Sequence, residues 1–168
     1  MSPADALSLL QRKAPAALAV AGISAFMLGF ALISQHVFGL RPCALCYWQR
    51  WPYWASLALG LLALVLPGRA ASAALAGAAL AFATGAGIAL FHVGVEAGWW
   101  QGLAECAGAG TAASVEELRR QLLGTQPVRC DEPAFIFLGL SMAGWNFVLS
   151  FIYALAAGFL GWRLWRSA

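Results

Sequence analysis

Charged residues are spaced unevenly along this chain. Four long intervals carry none: 14–40, 51–68, 70–95 and 133–162. Each is near or above the ~18 apolar residues that mark a membrane-crossing helix, and ~20 residues cross the hydrocarbon core. Backbone N–H and C=O groups find no water inside lipid, so runs of this length satisfy them internally, as helices. The pattern predicts helices at about 15–36, 44–66, 70–94 and 134–162, the second taking in Tyr47 to Arg50 at its start. The expected fold is all-α: a polytopic membrane protein, one domain over 1–168, built as a bundle of four transmembrane helices. The first run is too long for the apolar core of a typical cleaved signal peptide, and no clear small-x-small site precedes the cysteines.

Between the third and fourth runs lies the one sizeable hydrophilic segment, about 95–133. Within it "SVEELRRQLLG" (114–124) predicts a short interfacial helix. Ser114 and Glu117 make a capping box. Val115, Leu118 and Leu122 share one face, Arg119 and Arg120 the other, and Gly124 can end the helix. The Ala- and Gly-rich stretch 70–89 suits close helix packing in lipid. Trp162 and Trp165 at one end, and Trp48, Trp51, Tyr53 and Trp54 at the other, fit interfacial anchors.

Composition strengthens this picture. The chain is 62% hydrophobic and 10% charged, against ~25% charge in ordinary globular domains. Mean hydropathy is +0.76. A net charge of +3 is too small to suggest a nucleic-acid partner. Four crossings put both termini on one side and all four cysteines on the other. Cations tie at five per side: Arg12, Lys13, Arg69, Arg163 and Arg166 against Arg41, Arg50, Arg119, Arg120 and Arg129. The first five crowd into very short segments, which favours termini inside. An even number of cysteines facing outward suits an oxidising compartment.

The chemistry concentrates in "GLRPCALCYWQRWPYW" (39–54). Cys43 and Cys46 open the second predicted helix, whose N-terminus favours thiolate over thiol. Arg50 shares a helix face with Cys46, four residues on, and a cation at the edge of hydrocarbon is costly unless it snorkels, pairs or works. Cys-x-x-Cys has three readings: half a zinc site, a redox dithiol, or a static disulfide. Zinc would need Cys106 and Cys130, whose spacing is not that of a zinc ribbon, so no metal is expected. A dithiol closes only by giving up two electrons. The apolar, aromatic surroundings suit a lipid-soluble quinone as acceptor. His92, in "LFHVGVE", is predicted at the depth of the cysteines, where an imidazole can donate a hydrogen bond to a quinone oxygen or pass a proton. His36 reads as an interface residue.

These features together resemble the bacterial inner-membrane disulfide bond formation protein B family, DsbB. The resemblance rests on "RPCALCYWQR", "FHVGVEAGWWQG", Cys106, "CDEPAFIFLGLSMAGWNF" and the four spans in this order. It implies a quinone-dependent thiol oxidase of the bacterial inner membrane, with both termini cytoplasmic and the cysteines periplasmic. It implies pairs Cys43–Cys46 and Cys106–Cys130, where sequence alone allows three pairings. A DsbA-like soluble thioredoxin-fold oxidase would attack the second pair and form a mixed disulfide with Cys106. Electrons would pass to the first pair and on to ubiquinone or menaquinone, with the Cys46 thiolate, Arg50 and His92 at the quinone. The Cys106–Cys130 segment is slightly shorter than in enterobacterial relatives and "EELRRQ" has no obvious counterpart there, which leaves open a sister oxidase with a dedicated partner. Two other classes remain: a haem electron carrier with His36 and His92 as axial ligands, and a scaffold stapled by inert disulfides.

Overall fold

The computed structural model describes residues 3–103, 106, 114–116, 119 and 128–167. Its elements are α1 (Pro3–His36), α2 (Ala44–Trp48), α3 (Arg50–Val65), α4 (Gly68–Glu96), β1 (Ile136–Phe137), β2 (Leu140–Ser141) and α5 (Met142–Ser167). Among the described residues, three segments are long and apolar enough to cross a membrane: Lys13–His36, Gly68–Glu96 and Met142–Ser167. α3 has 16 residues, or about 24 Å of rise, short of a hydrocarbon core of roughly 30 Å.

The helix expected over 44–66 is therefore two helices, broken at Gln49. Pro52 accounts for the break. It has no N–H to give the Trp48 carbonyl, and its ring crowds that carbonyl, four residues back. A second difference is at the start of the last helix. The apolar run 134–141 does not open a helix but folds into the β1–β2 hairpin, pairing Ile136 with Ser141 and Phe137 with Leu140. Leu138 (φ 50°) and Gly139 (φ 79°) form its two-residue turn, the left-handed geometry that a tight hairpin demands. The Ser141 hydroxyl then accepts from the Gly144 amide at 3.0 Å and caps α5. The interfacial helix expected at 114–124 lies largely outside the described residues.

α3 packs on both α1 and α4, and α4 packs along α5, while α1 and α5 scarcely meet. Small residues make the close approaches possible. A Cβ on Gly60 would come within 2.9 Å of the Ala21 backbone nitrogen, so α1 and α3 touch backbone to backbone. Ala71, Ala74, Ala78, Ala86 and Ala89 line the buried side of α4, with Phe82 as the large side chain that fills the centre. At the opposite end from the cysteines, the Lys13 ammonium donates to the Leu66 carbonyl, tying α1 to the end of α3.

Candidate functional site

Where α1 and α5 part, a cavity of about 370 Å³ opens near the start of α2, within the range of small-molecule sites. Its wall is mostly apolar, with Phe30 from α1, Phe137 from the hairpin and Leu149 from α5. Cys43, Cys46, Arg50, His92 and Glu96 also line it. All six sequence-predicted site residues are described, and five of them belong to two touching groups. Cys43, Cys106 and Cys130 share a buried cluster with Leu45 and Val95, against which Cys46 packs. His92 is buried at its edge.

Cys43 and Cys46 are free thiols with sulfurs 2.9 Å apart. Cys43 caps α2, accepting the Cys46 amide on its sulfur at 3.3 Å. Its sulfur also faces His92 Nε2 at 3.7 Å. Surrounded by donors, Cys43 is the place for negative charge, so the proton between the sulfurs belongs to Cys46. The Cys46 thiol first, and then His92, hold the Cys43 pKa down to about 4 against the opposing effect of burial. The same sulfur–sulfur bond is the largest influence pushing Cys46 up, followed by burial; Arg50 lowers it only weakly. The donors gathered on Cys43 favour charge on that sulfur in this reduced pair, whereas the sequence reading looked to a Cys46 thiolate at the quinone.

Cys106 and Cys130 are disulfide-bonded, and their sulfurs are buried, Cys106 at 3% exposure and Cys130 at 0%. His92 ties this pair to the first. Its Nε2 lies 3.2 Å from the Cys130 carbonyl oxygen and 3.8 Å from Glu96 Oε1. Both cysteine sulfurs of the first pair and a ring nitrogen of His92 lie within 4.8 Å of one another, a grouping with metal-ligand character. A carbonyl facing Nε2 calls for a proton there rather than a metal ion.

Arg50 reaches toward α1, donating to Gln35 Oε1 at 2.7 Å and lying 4.8 Å over the Tyr47 ring. Gln35 in turn donates to the Tyr47 hydroxyl at 3.3 Å. The sequence reading missed Gln35, and it missed a second polar set. Gln49 Nε2 meets His92 Nδ1 at 2.8 Å, and Gln49 Oε1 accepts from Asn146. Asn146 Oδ1 accepts from the Tyr53 hydroxyl at 2.6 Å. The signal was present: Gln35, Gln49 and Asn146 are the amides within or beside otherwise apolar runs, where an unpartnered polar group is costly. His36 is exposed, while both ring nitrogens of His92 are engaged within the site, so the two do not form the bis-histidine haem site considered above.

Comparison with known proteins follows the same outline. The model of the family described as disulfide bond formation protein DsbB matches residues 12–160. A disulfide bond formation protein B of Xanthomonas campestris pv. campestris is 37% identical over 79% of this chain and 83% of the relative. Proteins of the same description from Aromatoleum aromaticum and Marinobacter nauticus are each 33% identical, over 80% and 75% of this chain and 84% and 78% of theirs. No solved structure matches.

Proposed function

The chain belongs to the DsbB family of disulfide bond formation proteins, and on that premise we propose that it oxidises a DsbA-like thioredoxin-fold protein and delivers the electrons to a membrane quinone. One observation carries this reading: two cysteine pairs, one reduced and one oxidised, share a single buried cluster beside an apolar cavity.

The chain's part runs in three stages. A thiolate of the partner attacks Cys106 and releases Cys130 as leaving group. The partner's second thiol resolves the mixed disulfide, so the partner leaves oxidised and Cys106 and Cys130 are left as a dithiol. Cys106 is only 3% exposed, so this attack requires that its sulfur first be uncovered. The Cys106–Cys130 dithiol then exchanges with a Cys43–Cys46 disulfide, which becomes the reduced pair seen here. Thiolate attack drives each exchange, and the His92 Nε2–H beside Cys43 favours charge on that sulfur as it leaves.

The cavity fits a quinone by its apolar wall, by the cation of Arg50 at its rim, and by its opening between two loosely joined helices that face lipid. Arg50, Cys46 and the aromatic wall would hold the head group. When bound, a quinone supplies the acceptor for two electrons and two protons. Midway through the exchange a sulfur of the second pair is bonded to Cys43 and Cys46 has left as thiolate, with the pull of the Arg50 cation remaining. Cys43 leaves in turn when the other thiolate of the second pair closes the Cys106–Cys130 disulfide. This reconciles charge on Cys43 in the resting dithiol with a Cys46 thiolate at the quinone. α2 and α3 together serve as the fourth crossing, with termini cytoplasmic and cysteines periplasmic in a bacterial inner membrane. The test is quinone consumption by the purified protein with a reduced thioredoxin-fold partner. No consumption with either ubiquinone or menaquinone would sink the reading.

A further inference from the structure

We propose that Gln49, backed by Asn146, is a positioning residue that holds His92 as the neutral imidazole protonated on Nε2. The tautomer assignment is independent of the thiol-oxidase reading; its catalytic consequence rests on it.

The polarity of the network follows from one group that cannot change its role. The Cys130 carbonyl only accepts, and it lies 3.2 Å from Nε2. The other groups around Nε2 are Cys43 Sγ and Glu96 Oε1, at 3.7 and 3.8 Å, acceptors in their ionised forms. Nε2 therefore carries the proton. A neutral imidazole then has its lone pair on Nδ1, and the partner at 2.8 Å must donate: it is the amide nitrogen of Gln49. That choice turns Gln49 Oε1 toward Asn146, which must donate through Nδ2. Asn146 Oδ1 is left to accept, and two hydroxyls converge on it, Tyr53 at 2.6 Å and Ser150 at 3.2 Å. Every link has a donor facing an acceptor. Gln49, Tyr53, His92 and Ser150 are all buried, and Asn146, half-buried at the cavity wall, closes the network.

The consequence is chemical. With Gln49 Oε1 taken by Asn146, its amide nitrogen faces Nδ1 and leaves no acceptor for a second ring proton. This holds the ring neutral against the pull of Cys43 Sγ and Glu96 on its other side; a carboxylate at this position would draw that second proton onto Nδ1. His92 thus acts as a fixed hydrogen-bond donor shared between the two cysteine pairs. Its Nε2–H rests on the Cys130 carbonyl and lies within reach of Cys43 Sγ when that sulfur becomes the leaving group. Gln49 also lines the cavity, but its amide is engaged by His92 and Asn146, so it works through the ring.

The test uses the full-length reduced protein in detergent, labelled with ¹⁵N-histidine. The chain has two histidines, so His36→Gln leaves His92 as the sole signal. The expected spectrum at neutral pH shows a protonated Nε2 and an unprotonated Nδ1. Gln49→Leu should give mixed tautomers. Gln49→Glu should give a ring protonated on both nitrogens. Asn146→Leu, which leaves Gln49 in place but removes its anchor, should give partial mixing. Quinone turnover should fall about tenfold in Gln49→Leu, the scale of one hydrogen bond, with the KM for quinone unchanged. A wild-type ring protonated on Nδ1, or a Gln49→Leu spectrum identical to wild type, overturns the proposal. Altered tautomers with intact turnover overturn the catalytic half. If the wild type consumes no quinone, the thiol-oxidase reading fails while the spectra still decide the tautomer.

Discussion

Arg50 and Gln35 join α3 to α1 through a 2.7 Å hydrogen bond at the rim of the cavity. The planar guanidinium spends one edge on Gln35 and one face on Tyr47, which leaves the remaining N–H groups free to turn toward a ligand. Arg50→Lys keeps charge but loses the fork; Arg50→Ala loses both. Quinone reduction should fall in the order wild type, Lys, Ala, with KM rising about tenfold in Lys and further in Ala. Gln35→Leu should raise KM while sparing the maximal rate, because it frees the guanidinium without removing it. Titrating quinone against all four proteins checks this. An Ala variant equal to wild type would make Arg50 a simple interface anchor.

The pH behaviour of the reduced protein follows from the Cys43 pKa of about 4, against ~8.5 for a free thiol. A lowered pKa means that the thiolate form stabilises the fold above the unfolded value, and that this contribution is lost as pH falls toward 4. Thiolate absorbance should therefore persist at pH 6 and vanish only as pH drops through about 4. Cys46→Ala removes the largest cause of the shift and should move the midpoint upward. A wild-type midpoint near 8.5 would place the charge elsewhere.

Much of this was legible in the spacing of charges. The charge-free runs ending at Arg41, Arg69, Glu96 and Arg163 set the helices, and the Cys-x-x-Cys with Arg50 set the site. Pro52 and Gly139 were also in view, yet their effects were not drawn. A proline in the first turn of a helix is tolerated, and only the loss of a partner for Trp48 shows that a new helix begins there. The hairpin hides because Phe135 to Leu140 is as apolar as a span; a period-2 pattern on so short a stretch cannot be told from a helix start. Gln49 and Asn146 were invisible as partners because they are 97 positions apart and meet only in the folded bundle.

The two pairs should separate genetically. Cys106→Ser removes the sulfur that a partner attacks but leaves Cys43, Cys46, Arg50 and His92 in place. Oxidation of the partner should vanish, while a small dithiol that reduces the first pair directly should still support quinone reduction. Near-normal partner turnover in Cys106→Ser would remove Cys106 from the mechanism.

Trp100 lies so close to Gly94 that a Cβ there would sit 2.0 Å from the ring. The ring is held on its other sides, stacked on Phe91 at 5.7 Å and donating from Nε1 to the Phe91 carbonyl at 2.9 Å. It cannot retreat without losing both. Gly94→Ala should therefore destabilise the protein by about 1–3 kcal/mol, the usual effect of overpacking, and lower Tm in detergent. The damage should reach the site, since neighbouring Val95 packs in the cluster with Cys106 and Cys130. Partner oxidation should fall more than quinone reduction. Trimming the ring in the double variant Gly94→Ala/Trp100→Leu should recover part of the stability, because the clash is with the ring itself. If the double variant is no more stable than Gly94→Ala alone, the loss comes from the helix backbone at Gly94 and not from the tryptophan packed on it.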